Sequence, residues 1–388
     1  MLTKVFKNSR LLTRTFSKWD HLPVAEPDPI LSLNARYVAE EDPRKVNLTI
    51  GAYRDEKGNP WILPSVKAAM EQVNQNIEKL EYLPPLGDAE FNNLAWKCAY
   101  GEDSAAWNEG RIGGIQTLSG TGGVYIALNF IKQWWRGNNT QLYTTTPTWP
   151  IHDTIAIRSG FDPVKIPYFD PATNGLDWDG FATAIDEAPR ESVILLHACA
   201  HNPTGVDPNP EQWNLLADII ERKGHLAFFD MAYQGFASGD LRKDAAAIEL
   251  WQKRGLPFVL AQSFAKSMGL YGLRTGAFSV ITDNQEEANK VTDQLGFLAR
   301  QTWSSPPLYG AAIAKALIGN PELYELWSQD MITMSGRIIK MRQKLKQNLI
   351  ASGKSSTKFS KPPNNSSRKH SQLGPPHRPD RDVRLHRS

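Results

Sequence analysis

Cysteine is almost missing from the 388 residues: only Cys98 and Cys199 occur, far apart and in no CxxC or Cys/His spacing. That argues against a disulfide scaffold and a structural zinc site, and it fits a reducing compartment. No run of eighteen or more apolar residues exists, which excludes a transmembrane helix. Acids are absent from residues 1–19, which carry Lys4, Lys7, Arg10, Arg14 and Lys18. They are scarce again in 354–388, where nine basic groups face two acids. Because the whole chain is only +3, the middle carries −9. The pI of 8.6 therefore describes the two ends, and a basic nucleic-acid-binding reading loses most of its support. Internal repeats are also lacking.

What is present points to a globular chain of two or three domains. Hydrophobic residues make up 41% and charged residues 22%, enough for a large core. The opening MLTKVFKNSRLLTRTFSKW mixes basic, hydroxyl and apolar residues. It reads as a mitochondrial presequence over 1–17, predicts the matrix as location, and is set aside from the fold. After Pro321, Leu323, Leu326, Trp327, Met331, Met334, Ile338, Met341, Leu345 and Leu349 recur at three- and four-residue steps, which predicts one long helix to Ser352. Past Gly353, Pro, Ser and Arg dominate and large apolar residues nearly vanish. Such a segment cannot offset its ordering entropy, so 354–388 is expected to be a disordered basic tail. Its composition fits a damaged or misread coding end better than a functional arm.

Between about 90 and 320, short apolar runs alternate with helical stretches. Strands are predicted at Gln141–Thr145, Val193–Cys199, His225–Asp230, Pro257–Gln262 and Gly276–Ile281. Helices are predicted at Gly122–Trp135, Pro210–Lys223 and Asn284–Leu298. Fully apolar strands alternating with helices indicate an α/β fold with a mostly parallel sheet. Ligands gather beyond the carboxyl ends of such strands. Asn202, Asp230, Tyr233, Ser263 and Lys266 all fall there, as one site assembled from several loops would require.

The run Ser263-Phe264-Ala265-Lys266 also matches the Ser-x-x-Lys of penicillin-binding proteins, but the companion S-D-N and K-T-G motifs are absent. Ser119-Gly120-Thr121-Gly122-Gly123 precedes a helical stretch and can receive a dianion on backbone N–H groups. It does not meet the strand–GxGxxG–helix order, which argues against a dinucleotide site.

Eight segments together resemble the aspartate aminotransferases, fold-type I enzymes that use pyridoxal 5′-phosphate. They are VNLTIGAYRDEKGNPW (46–61), EYLPPLGDAEF (81–91), QTLSGTGG (116–123), TPTWPIH (146–152), HACAHNPTGVDP (197–208), FFDMAYQGFASGD (228–240), SFAKSMGLYGLRTGAFSV (263–280) and TWSSPP (302–307). The resemblance covers roughly 18–352. It implies an arm with part of a small domain at 18–60, a large cofactor domain at 61–320, and an interdomain helix with a truncated small domain at 321–353.

On this resemblance Lys266 would form the imine with the cofactor aldehyde and later carry the proton, which an amine can do only if it can become neutral. Asp230 would face the pyridine nitrogen and keep it protonated, making the ring an electron sink. His152 would support that aspartate. Tyr233 and Asn202 would hydrogen-bond the phenolic oxygen, and Trp149 would stack on the ring. Ser119, Gly120, Thr121, Ser263 and Arg274 would hold the phosphate, with Tyr82 reaching in from a second subunit, so that a homodimer forms the site. Arg300, also from the neighbour, would grip the distal carboxylate of a dicarboxylic substrate through two parallel hydrogen bonds. Gly51 would lie beside the substrate, together with Trp149 and Asn202. No metal is expected.

The pattern breaks in two places. Leu273 stands where the family usually has a polar residue, with little effect expected. After residue 352 the family continues into most of its small domain, including a second arginine in an S/N-G-R-I type motif that binds the alpha-carboxylate. This chain is expected to carry no such motif, a loss worth roughly 2–5 kcal/mol in analogous truncations. The expected activity is amino-group exchange between L-aspartate and 2-oxoglutarate. An aromatic aminotransferase and an impaired cofactor-binding homologue are the alternatives.

Overall fold

The computed structural model describes residues 18–353, apart from 20, 26, 27, 50, 77 and 78. The presequence reading and the tail reading both lie outside the described residues. Among the described residues there are nine strands: β1 (Ile112–Leu118), β2 (Asn138–Thr146), β3 (Asp162–Pro167), β4 (Phe169–Asp170), β5 (Gly175–Leu176), β6 (Ser192–His197), β7 (Leu226–Met231), β8 (Phe258–Ser263) and β9 (Thr275–Ile281). Seven form one sheet in the order β1-β9-β8-β7-β6-β2-β3, and β4 pairs only with β5. Pairing is parallel from β8 through β7, β6 and β2 to β3, while β9 runs antiparallel to both β1 and β8. The result is the mostly parallel α/β fold that the apolar strands imply.

The central strands are buried along their whole length in β6 and β8, as a sheet covered on both faces demands. One layer of core packs Phe181, Ile220, Phe229 and Trp251 against one face, and a second packs Val124, Leu128, Leu195 and Phe228 against the other. The helix Pro210–Lys223 matches its predicted bounds for a local reason. Asn209 and Gln212 form a reciprocal capping box, Pro210 opens the first turn, and a left-handed Gly224 closes it. The helix Ser119–Trp134 starts three residues before the prediction, and Gln285–Thr302 runs four residues past it.

A third core lies off the sheet, among the helices Pro64–Asn76, Ala89–Tyr100, Leu308–Gly319 and Pro321–Ala351. The last of these helices is pinned at its first half. Trp327 Nε1 donates to the Ser267 carbonyl at 2.8 Å, one residue beyond Lys266, and the Asp330 carboxylate accepts the Ser65 N–H at 3.0 Å. Met331 and Met334 are buried, whereas every residue from Ile339 to Ala351 is exposed. The apolar stripe is thus covered for about half its length and open for the rest. Among the described residues no helix is long and apolar enough to cross a membrane. An open stripe promotes association, so Leu345→Gln combined with Ile350→Gln is expected to lower self-association in sedimentation velocity. The unfolding free energy should shift by no more than about 0.5 kcal/mol per site, as for other exposed positions.

Candidate active site

Three parallel strands end side by side, and their last residues carry the site. β7 delivers Asp230, paired in register with His197 of β6 on one side and Ala261 of β8 on the other. β8 ends at Ser263, whose hydroxyl caps the short helix Phe264–Ser267 through the Ala265 N–H, and Lys266 sits on that turn.

Asp230 Oδ2 accepts from His152 Nε2 at 3.0 Å, and His152 Nδ1 lies 2.9 Å from the Thr148 hydroxyl. His152 is fully buried, which fixes the carboxylate from behind. The other oxygen, Asp230 Oδ1, is buried with no protein partner. A buried carboxylate oxygen without a donor costs free energy unless a ligand supplies one. Lys266 Nζ donates to the Gly51 carbonyl and lies 5.0 Å from the centre of the Tyr271 ring. Burial, and then the Arg274 charge, lowers its pKa from the ordinary lysine value, as an amine that must become neutral requires. Burial raises the Tyr233 phenol above its usual range, with Asp230 and Tyr271 adding to it.

On the far side of Lys266 lies a hydroxyl cluster. Ser119 opens the helix Ser119–Trp134 with φ 59°, and its hydroxyl meets that of Ser263 at 3.0 Å. The contact depends on Gly276 of β9. A Cβ there would stand 2.7 Å from the Ser119 carbonyl carbon and 2.6 Å from the Gln262 carbonyl oxygen, so only glycine lets the two backbones close. Gly120 packs against Ser263, Thr121 is exposed, and Arg274, also at positive φ, donates to the Tyr271 carbonyl at 3.0 Å. The two hydroxyls meet at a helix N-terminus, a setting that suits an anion. Leu273 packs into the third core instead.

Trp149 stands edge-on to His152 at 5.2 Å between ring centres. The Asn202 N–H donates to His197 Nδ1 at 2.8 Å, which leaves the proton of neutral His197 on Nε2. Gly51 adjoins Lys266 through its carbonyl. Two expected residues do not join the cluster: Tyr82 is 92% exposed, and Arg300 is exposed with its guanidinium on the Ser304 hydroxyl.

The structure adds His197, His201 and Tyr168, which the sequence reading passed over, to the expected His152. His152, His197 and His201 form a row, with ring centres 5.3 Å and 4.3 Å apart, and Tyr168 stacks on the far end at 3.9 Å. The Thr145 hydroxyl donates to the Pro147 carbonyl, so it accepts from His201 Nε2, while Thr204 lies on Nδ1. Burial drives the pKa of His197 well down and that of His201 to about 3, so both stay neutral at ordinary pH. Donor atoms of His152, His197 and Asp230 fall within 4.8 Å of one another, the spacing of a metal site. Both His152 nitrogens and His197 Nδ1 are already engaged in hydrogen bonds, while His197 Nε2 is buried without a partner. The only sequence signal for it was the density of histidine in HACAHNPTG.

One expectation needs correction. The string Ser335-Gly336-Arg337-Ile338 does spell an S-G-R-I motif, but it lies midway along the helix Pro321–Ala351. Arg337 there donates to the Arg54 carbonyl at 3.0 Å, an arrangement unlike a substrate-carboxylate clamp.

Comparison with known proteins agrees with this geometry. The family described as aminotransferase class I and II matches residues 43–365. The cytoplasmic aspartate aminotransferase of Schizosaccharomyces pombe is 43% identical over 329 residues, 84% of this chain and 80% of the relative. Among solved structures, the cytoplasmic aspartate aminotransferase of Saccharomyces cerevisiae superposes with a TM-score of 0.83 at 41% identity, covering 86% of this chain and 83% of that one. An aromatic amino acid aminotransferase of Burkholderia cenocepacia gives 0.82 at 37%, covering 86% and 83%. The chain belongs to the class I and II aminotransferases.

Proposed function

We propose that this aminotransferase exchanges the amino group between L-aspartate and 2-oxoglutarate, with pyridoxal 5′-phosphate held at Lys266, as a homodimer in the mitochondrial matrix. The observation that carries the cofactor assignment is the unpartnered Asp230 Oδ1, on the strand beside the one that leads to Lys266, an amine of lowered pKa. A protonated pyridine nitrogen is the donor that oxygen lacks, and the Ser119–Ser263 hydroxyl pair at a helix N-terminus suits the phosphate. When bound, the cofactor supplies the electron sink for removing the alpha proton. The protein's part is to hold that nitrogen charged through Asp230 and His152, and to move the proton on Lys266 Nζ.

Aspartate is favoured over aromatic substrates by the identity to aspartate aminotransferases and by Arg300, a cation suited to a second carboxylate. Purified protein given aspartate and 2-oxoglutarate should form oxaloacetate, at a kcat/KM at least about tenfold above that with phenylalanine. Faster turnover of phenylalanine would assign the aromatic reading, for which the Burkholderia structure speaks. An intact imine absorbance with no oxaloacetate would make the chain a cofactor-binding homologue.

The exposure of Tyr82 and Arg300 supports a shared site, since neither contacts Lys266 of its own chain. Lys266→Ala and Arg300→Ala homodimers should each be nearly inactive. Refolded as an equal mixture they should regain about a quarter of parental activity, from the one complete site in each hybrid. Recovery near zero, with hybrids present by native mass spectrometry, would sink the dimeric reading. Location is tested by fusing residues 1–19 to a fluorescent reporter and looking for matrix import.

A further inference from the structure

Residues 51–54 run from the reacting lysine to the last helix, and side chains from three distant points hold their backbone. Lys266 Nζ donates to the Gly51 carbonyl. The Tyr53 N–H donates to the Tyr271 hydroxyl at 2.9 Å, and Arg337 Nη1 donates to the Arg54 carbonyl at 3.0 Å. The Arg337 guanidinium also lies 5.6 Å from the centre of the Tyr53 ring, and that ring packs on Trp61 at 5.4 Å. Tyr271 is shared by both ends, since its ring lies under Lys266 Nζ while its hydroxyl takes the Tyr53 N–H.

We propose that Arg337 is a positioning residue that holds the 51–54 backbone over Lys266 from the helix Pro321–Ala351. This rests on the assignment of Lys266 as the reacting amine. A neutral amine keeps two N–H bonds and can still donate to the Gly51 carbonyl. Condensation with an aldehyde takes both hydrogens away as water, so this one of the three holds weakens when the amine reacts. Tyr271 and Arg337 then keep the segment in place. Tyr271 sits on the Lys266 loop, whereas Arg337 belongs to a helix whose Asp330 is held by the Ser65 N–H, outside that loop. It is therefore the hold that does not yield with the reacting group. Its charge is matched to the task, because a guanidinium can donate to a carbonyl and lie on an aromatic face together.

A loosened segment would admit water to Lys266 and restore part of its ordinary basicity. The groups set against the amine are the Tyr271 ring and the Arg274 charge on its own loop, and the Gly51 carbonyl on the segment. All of these are retained when Arg337 alone is changed.

The test uses the full-length chain without cofactor, labelled with trinitrobenzenesulfonate across a pH series, with Lys266 modification read by peptide mapping. Arg337→Met should raise the labelling midpoint and lower Lys266 labelling at pH 7.5 at least about threefold, equivalent to half a pH unit. Arg337→Lys should recover part of the shift, since an ammonium can still donate to the Arg54 carbonyl. Lys344→Met, exposed further along the same helix, should match the parent. Amide exchange at residues 52–54 should quicken in Arg337→Met. A reduced unfolding midpoint with the labelling curve unmoved would leave Arg337 merely structural and overturn the proposal. Should Arg337→Met not fold, Tyr53→Leu removes the stacking face and is read the same way. Because no substrate or cofactor is present, failure of the aminotransferase reading would show in activity assays and leave this readout intact.

Discussion

Lys266→Ala should abolish borohydride-stable attachment of pyridoxal 5′-phosphate and reduce transamination by roughly 10⁴-fold or more, the span expected when a reacting group that also moves the proton is removed. The fold should not suffer. Lys266 lies in a setting where burial and Arg274 oppose its charge, and its folded pKa is lowered. The unfolded chain therefore binds the extra proton between the lowered folded value and the ordinary lysine value, and stability contributed by this group rises with pH across that window. Below the window the charged amine costs stability that alanine does not. The cofactor-free variant should thus melt no lower than the parent at pH 7, and the difference should narrow as pH rises toward the ordinary lysine range. A variant that loses activity and melts markedly lower would point to a structural lysine. Tryptic mapping after borohydride reduction of the parent gives the complementary check, with the label expected on the peptide holding Ser263 to Arg274.

The amine and the aspartate were legible because both sit directly after short apolar runs, where a parallel sheet presents its ligands. Strands β6, β7 and β8 differ from their predicted limits by no more than two residues at either end. β1 was missed because IGGIQTL carries two glycines, which lower strand propensity. The structure gives the reason for one of them. A Cβ on Gly114 would stand 2.3 Å from the Phe278 carbonyl oxygen and 2.8 Å from the Trp96 ring, so close packing against β9 takes precedence over propensity. β3, DPVKIP, hides for a different reason: it is the sheet's edge, where two prolines and exposed charge are tolerated.

The histidine row and the Arg337 hold were not legible, because both depend on contacts between residues far apart in the chain. His197 and His201 lie near each other in sequence, but their meaning comes from His152 and Tyr168, which β2 and β3 bring alongside. Tyr271 looks like an ordinary loop aromatic until residues 51–54 fold over it. Sequence reading finds residues announced by a local pattern. It has no access to partners chosen by the packing of the sheet.

Asp230→Ala should separate cofactor capture from cofactor chemistry. Lys266 keeps its environment in this variant, so borohydride should still fix the cofactor to it. Turnover should nevertheless fall by about 10²–10⁴-fold, because removing one partner of a buried charged contact costs about 3–5 kcal/mol and each 1.36 kcal/mol is a factor of ten. The loss has two parts in this structure. On the proposed assignment Oδ1 would accept the ring proton, and Oδ2 takes the hydrogen bond from His152, so alanine also strands a fully buried imidazole. His152→Ala removes only the support and leaves Oδ1 in place, so its effect should be smaller, about tenfold, with the cofactor still bound. Asp230→Asn tests the charge itself, since the amide keeps the shape and an acceptor for His152 but cannot hold the ring nitrogen protonated. Turnover in Asp230→Asn closer to the parent than to Asp230→Ala would mean that the carboxylate acts by shape. The electron-sink role assigned to this position would then be wrong.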